Sequence, residues 1–354
     1  MEHREATPAA PLIRINNLHV LGLRGLKRLE LPTDGLSWRD DHIPDLVVIA
    51  GENGSGKTTL LKCIAQAARL LATPSRFIPP EVAAEECLID FLLSDGTDNQ
   101  PQSFRFLVGD EAFVEKHLNG DSYGLVRTGK HPKAITNKHI EHLRLVLKSP
   151  AGYSQSTWPR VALFPSEERD LVVPNVAYKS PGRLSDEAGF VHAWERLAGK
   201  QWSGSTIELL FSARWSDLNA KDKGSKESNQ FERYTKAFKA LTSNKKTLTW
   251  TAKGDLVVEL KNGITHPVED LSSGERQILL LLAELRRVWR PGSLVMIDEL
   301  ELHLHDKWQS RLLDVLRDMQ CELGGQVLIT TQSHSLFEMA GLGTRVLLGR
   351  RSLN

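Results

Sequence analysis

The chain has 354 residues, with 45 basic and 44 acidic side chains and a net charge of +1. That balance excludes a global electrostatic drive toward nucleic acid or membrane and leaves only local basic patches to consider. With 40% apolar and 25% charged residues, a globular chain of one large or two modest domains with a sizeable core is expected.

The N-terminus, MEHREATPAAPLIR, carries no apolar stretch of the kind a signal peptide needs. LIRINNLHVLGLRGLKRLEL (12 to 31) reads as two strands joined by a glycine turn. LVVIA (46 to 50) has the unbroken apolar, β-branched character of a buried strand. GENGSGKTT follows at once, and then LLKCIAQAARLL, where Leu60, Leu61, Ile64, Ala68 and Leu71 recur at helical spacing. The local order is therefore strand, glycine loop, helix.

The middle is less regular. FLLSDGTDNQPQSFRFLVGD suggests a strand pair around a polar turn, and RVALF (160 to 164) another buried strand, ended by Pro165 and SEERD. From about 183 to 245 the pattern is helical and polar, with a low-hydrophobicity stretch, NAKDKGSKESNQ. TLTWTAKGDLVVELKNGITHPV alternates and turns at KGD and KNG, the pattern of a hairpin. LSSGERQ (271 to 277) then opens a very apolar helix, whose run around Leu279 to Leu282 is far shorter than the ~18 residues a membrane span needs. SLVMI is a strand with Asp298 and Glu299 at its tip. DKWQSRLLDVLRDM is a helix with Asp306 as the expected N-cap, and QVLITT and RVLLG are the last strands. The cysteines, Cys63, Cys87 and Cys321, form no CxxC pair, so neither a disulfide framework nor a cysteine zinc site is supported, and a reducing cytoplasm is expected.

Gly51, Gly56, Lys57 and Thr58 fit G-x-x-x-x-G-K-[ST] between a strand and a helix. Glycines let backbone N–H groups curl round phosphate oxygens, and the helix N-terminus favours anions. Asn53, Gly54, Ser55, Gly56, Lys57, Thr58 and Thr59 are the expected phosphate cradle; Lys57 reaches the β and γ phosphates, and Thr58 ligates Mg²⁺. Asp298 is the expected second Mg²⁺ group and Glu299 the residue that activates the attacking water, with Glu301 as a rival base. In LSSGERQ, Ser272, Ser273, Gly274 and Glu275 form a second anion-binding helix start. Such a cap is useful if it closes over the nucleotide of another subunit.

At this point the sequence resembles the ABC-type ATPases, whose signature motif is LSGGQ. The form LSSGE, the N-terminal strand pair and DELELHLH make it more similar to the SMC, RecF and OLD branch than to transporters. Within that branch it resembles the small AAA-family ATPases of prokaryotic anti-phage cassettes, of the OLD and PtuA kind. The resemblance implies an α/β P-loop NTPase fold: a RecA-like parallel core, an antiparallel β subdomain and a helical insertion. The expected division is 12–75 with 265–350 as the ATPase core, 76–182 as the antiparallel subdomain plus a core strand, and 183–264 as helical lid and hairpin. It also implies ATP and Mg²⁺ as cofactors and a homodimer in which Ser272 and Gly274 contact the γ-phosphate in trans. His303 and His305 fall where the family has its dimer-communicating loop; the alternative for them is a zinc pair.

Two positions depart from the family. The switch position is Gln332 in TTQSHS, with His334 two residues on, so Gln332 is the first candidate and His334 the second. No Q-loop glutamine stands after a core strand, and Glu167 or Glu168 in FPSEERD would have to serve. Arg214, Trp215, Lys221, Lys223, Lys226, Lys245, Lys246 and Trp250 could form a nucleic-acid surface; the plainer reading is a solvated face. About twenty residues follow the switch, so the C-terminal nuclease domain of OLD-type proteins is not expected. The expectation is a cytoplasmic, homodimeric Mg²⁺-dependent ATPase that regulates a separate nuclease or toxin in anti-phage defence. The rivals are a RecF/SMC-like DNA repair ATPase and, less in keeping with LSSGE, a transporter motor.

Overall fold

The computed structural model describes residues 12–32, 43–73, 77–94, 101–118, 121–127, 133–136, 159–164, 166, 191–193, 202–222, 229–302 and 304–348, with backbone alone at 136, 191–193, 202–208 and 222. In chain order the elements are β1 (Leu12–Leu23), β2 (Leu26–Leu31), β3 (Leu46–Ala50), α1 (Lys57–Ala72), β4 (Glu86–Ser94), β5 (Gln102–Gly109), α2 (Glu111–His117), β6 (Asp121–Val126), β7 (Lys133–Thr136), β8 (Val161–Phe164) and β9 (Val191–Ala193). Then come α3 (Trp202–Asp222), α4 (Gln230–Leu241), β10 (Lys246–Trp250), β11 (Leu256–Leu260), β12 (Thr265–Pro267), α5 (Ser273–Val288), β13 (Leu294–Ile297), α6 (Asp306–Leu323), β14 (Gln326–Thr331), α7 (His334–Met339) and β15 (Arg345–Leu347).

One sheet has the order β15-β3-β14-β13-β8-β9, and all its pairings are parallel. Its central strands are buried on both faces and apolar in their middles, with polar residues only at the ends of β14. Their side chains divide strictly by parity. Val47, Ile49, Val161, Leu163, Leu294, Met296 and Leu328 join the core around α1. Val48, Ala162, Phe164, Val295, Ile297, Val327 and Ile329 join the core around α5 and α6. Helices α1 and α5 therefore lie on opposite faces of the same sheet, as period-2 side-chain alternation requires.

A second sheet, β2-β1-β4-β5-β6-β7, is antiparallel except for the parallel pair β5/β6. Its inner residues, among them Ile15, Leu18, Phe91, Phe106 and Tyr123, share the α1 core, so α1 is held between the two sheets. Gln326, wholly buried, joins them: its Oε1 accepts from Ile15 N at 2.8 Å, and its Nε2 donates to Ile15 O at 3.2 Å. On the other side α3 and α4 pack on α5, and β10-β11-β12 follow α4 as a three-stranded meander. Asp217 of α3, itself buried, accepts from Gln230 N and Phe231 N at 2.8 and 2.9 Å and so caps α4 from outside its own chain segment.

The parallel sheet, the antiparallel sheet and the helical stretch match the expected fold class. Helix α2 and strands β6, β7 and β9 were not expected. Helix α6 begins with Asp306 as its first residue and His305 in the N-cap position, so Asp306 is one residue inside the expected cap. Its carboxylate still meets the positive end of the helix dipole. Among the described residues, no helix is long and apolar enough to cross a membrane.

Candidate active site at the strand tips

The strand order puts the C-terminal tips of β3, β14, β13 and β8 side by side. In parallel α/β sheets this edge is where ligands bind. The loop after β3 is tied down by Gly51 N donating to Thr331 O (3.3 Å) and Ser55 N donating to Glu52 O (3.1 Å). Gly56 sits at φ 92°, and a Cβ there would lie 2.7 Å from Leu26 Cβ and 2.9 Å from Leu26 N. The turn between β1 and β2 thus abuts the loop, and only glycine fits. Lys57, 4% exposed, folds its ammonium back onto the loop, donating to Gly51 O (2.7 Å) and Glu52 O (2.9 Å). Ser55 Oγ is buried, with no hydrogen-bond partner among the described residues. A buried hydroxyl and a lysine ammonium on a glycine-rich loop at a helix start are groups of the kind that bind phosphate oxygens. Asn53 and Gly54 are exposed at its crest, and Thr59 is half-buried in the first turn of α1.

Asp298 is fully buried at the tip of β13. Its Oδ2 accepts from Thr58 Oγ1 at 2.7 Å and from Ser166 Oγ at 2.8 Å, while Oδ1 accepts from Thr330 Oγ1 at 2.5 Å. Thr58 and Asp298, 240 residues apart, are therefore neighbours, as the Mg²⁺ reading of the two residues requires. One hydroxyl and one carboxylate, with phosphates and water completing an octahedron, is a donor set that suits Mg²⁺.

Glu299 adopts φ 46°, rare for a residue with a Cβ, and such strain concentrates at functional sites. Its backbone N donates to Thr330 Oγ1 at 2.9 Å, and the Gln332 amide Nε2 donates to its Oε1. Glu301 is engaged differently: Thr331 Oγ1 donates to its Oε2 at 2.7 Å, and Gln332 N to its Oε1. Glu301 thus braces the segment after β14 from below, while Glu299 faces the Gln332 amide. His334 is exposed in the first turn of α7. Of the two switch candidates, Gln332 is the one that touches Glu299.

The LSSGE segment is a complete capping box. Ser272 Oγ accepts from Glu275 N at 3.4 Å, and Ser272 N donates to Glu275 Oε2 at 3.0 Å. Ser272 and Ser273 are exposed, Gly274 is half-buried and Glu275 is 7% exposed. Lys246, at the start of β10, holds both oxygens of Glu275, with Nζ 2.7 Å from Oε1 and 2.9 Å from Oε2. Burial alone would push the Glu275 carboxyl up, but Lys246 and the two Ser272 donors outweigh it and hold the group below its ordinary range.

Several expected residues stand elsewhere. Glu167, Glu168, Lys223, Lys226 and His303 lie outside the described residues. His305 is exposed ahead of α6, and among the described residues no group of three or more His, Cys, Asp or Glu gathers to hold a metal. Trp250 faces inward, its ring 5.6 Å from Phe211 and 5.7 Å from Phe231. With Lys246 paired to Glu275, two members of the expected nucleic-acid surface serve internal contacts. Trp215, Lys221 and Lys245 are exposed, and Arg214 is half-buried. Sequence reading missed Ser166, Thr330 and Lys246 as site residues. Thr330 had a signal, a polar residue ending an otherwise apolar strand.

Residues 179–338 match the family model described as AAA domain, putative AbiEii toxin, Type IV TA system. That span takes in LSSGE, Asp298, Glu299 and Gln332, and the P-loop lies upstream of it. The chain is 36% identical over 90 residues to the Retron Ec83 probable ATPase of Escherichia coli, covering 22% of this chain and 16% of that protein. It is 21% identical over 362 residues to the Retron Vc95 probable ATPase of Vibrio cholerae, covering 86% of this chain and 68% of that one. Among solved structures, the SMC head bound to the C-winged helix domain of ScpA aligns at TM-score 0.47 and 17% identity, over 95% of this chain and 94% of that one. The SMC head domain from Thermotoga maritima aligns at TM-score 0.45 and 13% identity, over 92% of each. With its P-loop and buried Asp298 at the tips of one parallel sheet, the chain is similar over residues 179–338 to that AAA-domain family and has probable ATPases among its relatives.

Proposed function

We propose that the chain is a cytoplasmic, Mg²⁺-dependent ATP hydrolase that works as a homodimer. Each ATP is held between the P-loop of one subunit and the LSSGE cap of the other, and the nucleotide state controls a separate effector, a nuclease or toxin, in anti-phage defence. The observation that carries the dimer is the placement of α1 and α5 on opposite faces of one sheet. Both helices offer an N-terminal anion site, and an exposed cap on the far face has no phosphate of its own chain to meet.

On this reading Lys57 leaves Gly51 O and Glu52 O for the β and γ phosphates, and backbone N–H groups of Gly54 to Thr59 cradle them. Bound Mg²⁺ would neutralise phosphate charge at Thr58 and Asp298. Glu299 orients the attacking water and takes its proton. Gln332 holds the Glu299 carboxylate and lies within reach of the γ-phosphate side of the site. Ser272 and Gly274 of the second subunit close the pocket, excluding water and fixing the phosphate for in-line attack. The retron ATPases among the relatives support a defence role for this chain.

The test is purification with Mg²⁺ and ATP. Phosphate release, an ATP-dependent dimer and co-purification with the product of a neighbouring gene are expected. Absence of turnover, or full nuclease or toxic activity by the isolated chain, would overturn the regulator reading.

A further inference from the structure

The LSSGE cap contains a contradiction for an anion site. Glu275 is 7% exposed and its carboxylate lies one helical turn from the groups meant to receive phosphate. Its Oε2 takes three donors: Ser272 N at 3.0 Å, Ser272 Oγ at 3.0 Å and Lys246 Nζ at 2.9 Å. The only proton of the Ser272 hydroxyl is thus given to a carboxylate, not outward. For Ser272 to serve an incoming phosphate, its O–H must rotate away, and Glu275 must tolerate a second negative charge nearby. Both need a cation fixed on Glu275. Lys246 supplies it: its side chain is 22% exposed and spans both carboxylate oxygens.

The position of Lys246 is itself set by the helical insertion. Thr242, buried at the end of α4, places Oγ1 3.0 Å from Phe238 O and 3.2 Å from Lys246 O, its one proton shared between them. Arg311 of α6 reaches Leu241 O at 3.1 Å. Lys246 therefore sits where α4 turns into β10, with its backbone keyed to α4 and its side chain keyed to the cap.

We propose that Lys246 is a positioning residue of the LSSGE cap, neutralising Glu275 so that Ser272 can turn to an anion and tying the cap to the helical insertion. The assignment rests on the reading of LSSGE as the cap over a partner-held ATP. Without the lysine, Glu275 is an uncompensated carboxylate that both retains the Ser272 proton and repels phosphate. Sequence spacing gave no hint of it, because 29 residues and a three-stranded meander separate the two side chains.

The experiment uses the 354-residue chain in a Glu299→Gln background, with ATP-dependent dimerisation read by sedimentation and nucleotide binding read with a fluorescent ATP analogue. Lys246→Met should leave analogue affinity within about twofold of the parent while weakening the ATP-bound dimer by roughly tenfold, a usual size for coupling between sites. Lys246→Arg should restore the dimer. Lys246→Met with Glu275→Gln should also recover much of it, since removing the stranded charge removes the fault. If the parent itself forms no ATP-dependent dimer, the shared-cap reading falls and this proposal with it. If the parent dimerises and Lys246→Met dimerises equally well, the Lys246 assignment alone fails. Loss in Lys246→Met that neither Arg nor the Glu275→Gln partner rescues would also overturn it. Should Lys246→Met not fold, dimerisation by the double variant and by Lys246→Arg decides: both must approach the parent.

Discussion

The two glycine-bearing helix starts, at α1 and at α5, differ in how they satisfy their own polar groups. The P-loop, exposed at its crest from Glu52 to Gly54, is pressed by the β1–β2 turn and folds Lys57 onto its own carbonyls, while Ser55 Oγ has no partner among the described residues. LSSGE is exposed at Ser272 and Ser273 and closed internally by a capping box and the Lys246–Glu275 pair. The difference teaches that similar chemistry can make two unlike devices. One is a loop whose lysine ammonium and serine hydroxyl lie within its own curve. The other is a finished surface that presents a few outward groups, suited to a lid.

The largest expected effect sharpens the cradle side. Glu299→Gln should bind ATP as the parent does and hydrolyse it ~10²- to 10⁴-fold more slowly, the usual cost of losing a general base. Single-turnover assays with bound ATP check this, and near-parental turnover would promote Glu301. A smaller loss is expected at the switch. Gln332→Ala should slow turnover by about 10²-fold, the scale of a misplaced catalytic group, whereas His334→Ala should stay within about twofold. Steady-state rates for the pair decide between them, and the reverse order would reassign the switch to His334.

The smallest effect tests whether the cradle is shaped by its neighbours. Gly56→Ala must adopt φ 92° and displace Leu26, so unfolding by denaturant should show a loss of about 2–4 kcal/mol. Gly254→Ala, at φ 89° with open space around its Cβ, pays backbone strain alone and should lose about 1 kcal/mol. Equal losses would mean that the close approach of β2 does not constrain the loop.

What could be read in the sequence was what lies close along the chain. LVVIA-GENGSGKTT is strand, loop and helix without interruption, and SLVMI carries its carboxylates at its own end, so both motifs declare themselves. The hairpin with turns at KGD and KNG was legible for the same reason, glycines in αL at Gly254 and Gly263 between alternating strands. Contacts made by sheet order were not. Ser166 meets Asp298 because β8 pairs with β13, and Thr330 does so because β14 pairs on its other side. Trp250 reads as a surface aromatic in KTLTW, yet tertiary packing turns it onto Phe211 and Phe231. The capping box at Ser272 and Glu275 was visible as spacing, but its lysine partner came from another strand.

The central claim, that the two helix starts complete one site across two molecules, is tested most directly by subunit mixing. Lys57→Ala and Ser272→Arg should each be inactive alone. Mixed, with exchange shown by tagged pull-down, their heterodimer carries both lesions in one site and leaves the other whole, so ATPase activity should partly return. The doubly substituted chain, Lys57→Ala with Ser272→Arg, added in excess to the parent should instead suppress activity, because every heterodimer site then has one lesion. The opposite pattern, no recovery from the single variants and undiminished parental activity in the mixture, would mean that each chain completes its own site and would contradict the account.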